Sequence, residues 1–407
     1  MTLKILNFID YVKKIEENFK NDNEIYLLNE RKELFNRILE YYKVDTSMIN
    51  QFQKQYTIQN IDKYAKMPKT RSNEAEYIFE SMINENEAVE VKDVEEKMAY
   101  LNGIEQPEQR TQEWFDYRHG VVTASSASHI FGTESEIMSY IKEKVLPQKT
   151  FKAGTACLHG IKFEDVAQKI YERLTNTKVG EYGCIRHKTI DYLGASPDGI
   201  VIESKDPKLA GRMLEIKCLY SRELTGVPLY KYWVQCQLQM ECCDLDYCDF
   251  FECKIDETLN KNDFYKMIKE NTANFYSILI EFEKDDKIQY KYANMCESDA
   301  YYKIWLENMI DELVKNDTVK SIKQTFWKLD KCCKTTIKRQ DKWFKSVESN
   351  IKNFWEKVKN YRQILKDNPE KESELFPVKK RKQNDSKVVC MIIDDEKEDE
   401  FAIHNNF

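Results

Sequence analysis

The sequence is poor in the two residues that punctuate chains: its 407 residues include 11 glycines and 8 prolines. Residues 1–100 contain no glycine at all and one proline, Pro68. Strands joined by tight turns rely on such residues, so this stretch is expected to be helical. The apolar spacing agrees. Ile5, Phe8, Ile9, Val12, Ile15 and Phe19 recur at helical intervals, as do Leu34, Phe35, Ile38, Leu39 and Tyr42. An acidic helix is expected near Val89–Leu101, ahead of Gly103 and Pro107. No run of about 18 apolar residues occurs, which argues against a membrane-spanning helix. The first residues also lack the long apolar stretch of a signal peptide, so the protein is expected inside a cell and away from membranes.

Cysteine is plentiful, at 12 residues, but no C-x-x-C pair occurs. The doublets Cys242-Cys243 and Cys332-Cys333 fit neither a disulfide framework nor a zinc site. Most of these thiols therefore read as small buried hydrophobes. Cys242, Cys243, Cys248 and Cys253 form the one group that an iron–sulfur site could use. His119, His129, His159 and His187 are not at zinc-ligand spacing and read as structural.

The net charge is −7, which argues against a generic nucleic-acid binder. The charge is uneven, however. Between Lys320 and Lys345 nine basic residues face only Asp330 and Asp341, interleaved with Phe326, Trp327, Trp343 and Phe344. This segment reads as an amphipathic helix with its aromatics in the core; a helix tracking a DNA backbone is the sharper alternative. Beyond 368 come Pro369, Pro377, the basic run Lys379–Lys382 and then acids, a pattern that predicts a disordered tail. Lys379–Lys382 is similar to a nuclear-import signal, and Val388–Ile393 before Asp394 is similar to a strand-adding docking peptide.

From about residue 108 the texture changes. A helix is expected over 154–176, short strands at Tyr182–His187 and Tyr192–Ala195, and strands at Gly199–Ile202 and Arg212–Lys217. A helix over Tyr230–Cys242 and a strand from Tyr247 to Cys253 follow. This order predicts an α/β (α+β) core with a mixed central sheet. The expected divisions are 1–105 helical, 106–256 the core, 257–367 helical and 368–407 the tail.

The chemistry concentrates at Gly194-Ala-Ser-Pro-Asp198-Gly199 and Glu215-Ile216-Lys217. Side chains alternate along a strand, so Glu215 and Lys217 share one face while Leu214 and Ile216 anchor the other. Asp198 opens the strand expected to pair with it, which brings its carboxylate near Glu215. Two carboxylates and the carbonyl of Ile216 suit a magnesium ion, which prefers oxygen ligands. Lys217 could then orient a water and stabilise charge at a phosphate. An incidental Glu-Lys pair on a surface hairpin is the plainer alternative.

Further blocks lie in order around this motif. Residues 112–131 contain Trp114, Arg118, Gly120, Thr123, Ala124 and Ser125; residues 158–171 contain Gly160, Glu164, Ala167 and Tyr171; residues 232–240 contain Tyr232, Gln235, Gln237 and Met240. Together they resemble the W-x3-R-x-G-x-x-T-A-S, G-x3-E-x-x-A-x3-Y, S-P-D-G, E-x-K and Y-x2-Q-x-Q-x2-M blocks of the YqaJ-type viral recombinase, or lambda exonuclease-like, family of the PD-(D/E)xK nuclease superfamily. The resemblance covers about residues 110–254.

It implies a magnesium-dependent deoxyribonuclease, with manganese as a substitute. The implied reaction is 5′-to-3′ exonuclease action on duplex DNA ends, in viral recombination, repair or replication. A structure-specific endonuclease and a catalytically silent DNA-binding or scaffold protein are the alternatives. The implied metal site is Asp198, Glu215 and the carbonyl of Ile216, supported by Glu164. Lys217 is implied as catalytic, Gln235 as orienting the water or lysine, and Arg118 and Ser125 as holding a DNA phosphate. Gln237 and Gln239 read as capping sheet edges and Trp114 as packing. Implied partners are double-stranded DNA ends, a single-strand annealing protein and further copies of the chain; the implied place is the host cytoplasm or nucleus. The loop from Asp198 to Glu215 is longer than in the family's phage member and holds Lys205, Lys208 and Arg212, either a DNA contact or a surface insertion. The helical regions at both ends leave the family's ring assembly an open question.

Overall fold

The computed structural model describes residues 81–83, 93–147, 154–285, 287–316 and 318–377. The helices expected over residues 1–80, the basic run and the docking peptide lie outside these residues.

The core is a mixed sheet with helices on both faces, as the alternation of elements predicts. Its strands are β1 (Met82–Ile83), β3 (Thr177–Gly180), β6 (Gly199–Ser204), β7 (Met213–Leu219), β8 (Tyr247–Leu259), β9 (Tyr276–Lys284), β10 (Lys287–Tyr292) and β11 (Val319–Lys338). They run in the order β10-β9-β11-β8-β7-β6-β3, with β1 pairing β11. Among the described residues of this sheet, β7 and β8 pair in parallel and the other neighbours are antiparallel. A smaller sheet joins β2 (Val122–Thr123), β5 (Leu193–Ala195) and β4 (Ile185–Arg186).

Helix α1 (Val94–Gly103) is the acidic helix expected before Pro107, and α2 (Gln112–His119) follows it. Helix α3 (Glu134–Val145) begins at a capping box in which Thr133 and Glu136 satisfy each other's backbone N–H groups. Helix α4 (Thr155–Thr175) ends at Asn176, whose left-handed φ of 54° turns the chain into β3. Phe163, Val166, Ile170 and Tyr171 of α4 pack on Leu214, Ile216 and Phe251 of the sheet. Helix α5 (Tyr230–Cys243) covers the opposite face, where Trp233, Leu238 and Met240 join Met213 and Phe250. Strands β7 and β8 are thus covered on both sides, and the charged residues they bury, Glu215, Asp249 and Glu252, are each paired with a cation. Cys248 faces the α5 side and Cys253 the α4 side, so the four cysteines weighed for a cluster are split by the sheet.

The expectation of an all-helical 257–367 is corrected by three strands. Helices α6 (Lys261–Glu270), α7 (Asp299–Val314) and α8 (Asp341–Asp367) are present, but β9, β10 and β11 lie between them. Ile278 and Ile280 bury in one cluster and Leu279 in another, so β9 has apolar residues on both faces. A fully buried strand leaves no alternation to read, and its spacing imitates a helix. The basic segment is not one helix either. Residues through Lys338 belong to β11, and α8 starts at Asp341. Phe326, Trp327, Trp343 and Phe344 are buried, as the amphipathic reading expected of its aromatics. Lys328 and Lys334 face Asp256 and Asp249 at 3.8 Å each. After α8, a 3-10 turn (Pro369–Lys371) and α9 (Glu372–Leu375) continue to a buried Phe376, where a disordered tail was expected.

Arg212 is likewise corrected. Its side chain is fully buried and donates to Asp249 Oδ1 at 2.9 Å, so it belongs to the core and not to a DNA contact. Among the described residues, no helix is long and apolar enough to cross a membrane.

Candidate active site

The site forms where β7 outruns its antiparallel neighbour. Pairing with β6 covers Gly199↔Leu214 and Ile200↔Met213 and extends no further along β7. The next inward-facing backbone group on that edge, the N–H of Ile216, donates instead to Asp198 Oδ2 at 2.7 Å. Asp198 therefore stands in for the missing strand. A residue's N–H and C=O point to the same edge of its strand, so the carbonyl of Ile216 faces the same gap. Gly199 has to be glycine for packing reasons: a Cβ there would stand 2.2 Å from Cγ1 of Val179 on β3.

Glu215 and Lys217 do share a face, the α5 side. Glu215 is fully buried, and its Oε1 accepts from Lys217 Nζ at 2.5 Å. Lys217 also lies 4.9 Å from the ring centre of Tyr232, a cation–π contact. Glu164 reaches the site from α4, and Arg110 Nη2 donates to its Oε1 at 2.9 Å.

The charges explain what this site favours. Burial pushes the Asp198 carboxyl well above the usual carboxylate range, and the nearby Glu215 and Glu164 push it further. Glu164 is raised chiefly by burial as well, partly opposed by Arg110. Burial alone would lower Lys217, but Glu215 and Asp198 outweigh it and hold the ammonium well above the usual lysine value. Three carboxylates thus crowd one desolvated spot with a single ammonium among them. A divalent cation would relieve that crowding, and oxygen donors are the ligands magnesium selects. Among the described residues, no three acidic, histidine or cysteine side chains stand close enough together to hold a metal ion by themselves. The donor set fits a hydrated ion held by few protein ligands: Asp198, Glu215 and the Ile216 carbonyl, with Glu164 behind them.

A second group lies beside the first. Arg118 sits in the last turn of α2, whose start Thr111 caps by accepting the Trp114 N–H at 3.2 Å. Its guanidinium lies 4.3 Å from the Trp114 ring centre and donates to Ser125 Oγ at 3.0 Å and Ser196 Oγ at 3.3 Å. Trp114 Nε1 also donates to Ser196 Oγ, at 3.1 Å. Behind the pocket, Lys144 Nζ donates to the Arg118 carbonyl at 3.0 Å, and Arg362 Nη2 of α8 to the His119 carbonyl at 2.7 Å. Both cations sit on the negative end of the α2 dipole. Among the described residues, no carboxylate lies within ion-pair distance of Arg118. A partly buried guanidinium ringed by hydroxyls suits an incoming anion.

The structure therefore brings Asp198, Glu215, Ile216, Lys217 and Glu164 together, and Arg118 with Ser125. Gln235 is buried on α5, but among the described residues it has no hydrogen bond to Glu215, Asp198 or Lys217. The glutamine that reaches Glu215 is Gln239, through Nε2 to Oε2 at 2.7 Å. Gln239 thus does not cap a sheet edge, whereas Gln237 does brace the end of β11, donating to the Lys338 carbonyl at 3.0 Å. The sequence reading also missed Ser196, Trp114 and Arg110. Ser196 was visible inside the S-P-D-G block, but nothing in that block says its hydroxyl faces Arg118.

Residues 113–246 match the YqaJ-like viral recombinase domain, so the resemblance carried by the motifs holds for the core of the chain. An uncharacterized protein of Acanthamoeba polyphaga mimivirus is 28% identical over 305 residues, covering 66% of this chain and 55% of that protein. The chain thus spans about half the length of that relative. Among solved structures, LHK-Exo in complex with dAMP is 22% identical with a TM-score of 0.41, covering 64% of this chain and 99% of that one. Another structure of LHK-Exo describes it as an alkaline exonuclease from Laribacter hongkongensis. A phage related exonuclease from Haemophilus somnus 129PT is 13% identical with a TM-score of 0.34, covering 61% of this chain and 96% of that one.

Proposed function

We propose that the YqaJ-like domain of this chain is a magnesium-dependent deoxyribonuclease that degrades duplex DNA from 5′ ends in viral recombination, repair or replication. The observation that carries the reading is the break in β6–β7 pairing. It leaves Asp198, Glu215, the Ile216 carbonyl and Lys217 around one gap, with Glu164 behind it.

When bound there, the metal would polarise the scissile phosphate and acidify a water. The chain's own residues supply the rest. Asp198 and Glu215 bind the cation, and Glu164 adds negative charge behind them. Lys217, held charged by its carboxylate neighbours, stabilises charge developing on the phosphate and orients the attacking water. Gln235, one helical turn before Gln239 on α5, is the glutamine assigned here to orienting that water.

The Arg118 pocket supports action at an end. A 5′-terminal phosphate offers more anionic oxygens than an internal diester, and the guanidinium fork can meet two of them together. Arg118→Ala is therefore expected to lower kcat/KM on 5′-phosphorylated duplex by about tenfold or more, on the scale of one charge-assisted contact of about 1.5–3 kcal/mol. The loss on 5′-hydroxyl duplex should be several-fold smaller. Steady-state rates on the two substrates check this, and equal loss on both would remove the end-phosphate role.

Linear and covalently closed DNA of one sequence test the mode of cutting. The proposal expects degradation of the linear form alone. Efficient cutting of the closed circle would instead establish a structure-specific endonuclease.

A further inference from the structure

Gln239 lies one helical turn beyond Gln235 on α5 and is fully buried. Its Nε2 donates to Glu215 Oε2 at 2.7 Å and to the Ser196 carbonyl at 3.3 Å. Both neighbours can only accept, so the amide must face them through its nitrogen. Its Oε1 is then left buried with no hydrogen-bond partner among the described residues. Buried amide oxygens are usually paired, so packing alone gives no reason to retain a glutamine here.

Ser196 makes the arrangement continuous. Its hydroxyl accepts from Arg118 and Trp114 in the phosphate pocket, and its carbonyl accepts from Gln239. Arg118, Ser196, Gln239 and Glu215 therefore link the two halves of the site through direct hydrogen bonds. Ser196 also lies two residues before Asp198, so the same short segment carries the second carboxylate. An ionised carboxylate has about four lone-pair sites, so Glu215 can keep its bond to Gln239 while binding a cation.

We propose that Gln239 is a positioning residue that sets the Glu215 carboxylate for the metal and locks the metal site and the end-phosphate pocket into one geometry. This rests on the metal and phosphate roles proposed above. Partners of metal-ligating carboxylates typically change metal affinity by about 10–100-fold when removed.

Gln239→Met tests it, because methionine fills a similar volume and donates nothing. Gln237→Met is the control: that amide sits on the same helix but braces the Lys338 carbonyl and the Gln340 N–H, at 3.0 and 2.8 Å. Two readouts are needed, Mn2+ affinity of the full chain from the free-ion electron paramagnetic resonance signal, and the kcat/KM ratio of 5′-phosphorylated to 5′-hydroxyl duplex. Gln239→Met should weaken Mn2+ binding by about tenfold or more and move the ratio towards one, whereas Gln237→Met should change neither. Should Gln239→Met fail to fold, Gln239→Asn keeps the amide on a stem too short to span both acceptors and carries the same expectation. Mn2+ affinity within about twofold of wild type in a folded Gln239 variant, well short of the expected loss, overturns the proposal. A wild-type chain that binds no Mn2+ overturns the metal reading and this inference together. Normal wild-type binding with an unaffected Gln239 variant overturns the inference alone.

Discussion

Lys217→Ala is expected to abolish DNA cleavage while leaving DNA binding close to wild type. The lysine is the one ammonium among the crowded carboxylates, and its Nζ lies 2.5 Å from Glu215. Its charge would act on the phosphate as negative charge builds there, and such preorganised groups are worth about 10²–10³ in rate each. Alanine removes that charge without touching the Arg118 pocket, which is built on α2 and the Ser196 segment. Removing a cation beside Glu215 should also leave divalent-metal binding intact or strengthen it, by simple Coulomb attraction. Single-turnover cleavage and a binding isotherm on the same end-labelled duplex separate these effects. A variant that still cleaves at the native rate would remove Lys217 from the chemistry, and one that no longer binds DNA would show a broader structural role.

The second large effect concerns stability. Arg212 and Asp249 form an ion pair whose two side chains are fully shielded from solvent. Asp249 also accepts from Thr336 Oγ1 and Tyr171 OH, each at 2.8 Å, while Arg212 Nη2 donates to the Lys208 carbonyl at 2.7 Å. Asp249→Ala would leave the guanidinium buried without its counter-charge, which typically costs about 3–5 kcal/mol. The double variant Arg212→Met with Asp249→Leu should recover much of that loss, because the desolvation cost of both charges disappears. Urea unfolding of wild type and the two variants checks the expectation.

The same pair gives a pH dependence with a definite sign. Burial alone would raise the Asp249 carboxyl, but Arg212 and then Lys334 outweigh it and hold it below the usual carboxylate range. Its folded pKa is thus below the unfolded value of about 3.9. The stability it contributes is complete above about pH 4 and is lost as pH falls through the folded pKa. Wild type should lose stability in acid more steeply than the Asp249 variant; identical slopes would show that the carboxyl is not held low.

Arg212 also shows where sequence reading stops. It sits at the end of a loop with Lys205 and Lys208, so charge alone suggests a surface cation. Only the sheet order, which sets β7 beside β8 and β8 beside β11, brings Asp249 and Thr336 next to it. Long-range pairing of that kind leaves no local signal. By contrast, α4, β6, β7, α5 and β8 were legible because turn residues bound them: Gly154 and Asn176 around α4, Gly199 and Gly211 at the starts of β6 and β7, and Pro228, Asp244 and Asp246 around α5 and ahead of β8. The failure at β9 and β11 has the opposite cause, since apolar residues on both faces of a strand erase the alternation that would identify it.

The candidate site divides in the same way. Alternation along β7 was enough to put Glu215 and Lys217 on one face, and the expected pairing of Gly199–Ile202 with that strand was enough to bring Asp198 near them. The choice between two glutamines four residues apart was not decidable from spacing, because Gln235 and Gln239 lie one helical turn apart on the same side of α5. Arg110 was invisible for another reason. It pairs with Glu164 across 54 residues, from a left-handed backbone at φ 68° just ahead of α2.

The most direct test is a time course of the purified chain on 5′-labelled, 5′-phosphorylated linear duplex, with magnesium and with the magnesium chelated. The account predicts release of label as short products from the 5′ end with magnesium, no release after chelation, and none from Asp198→Ala in either condition. Release that survives chelation, or that persists in Asp198→Ala at the native rate, would contradict it.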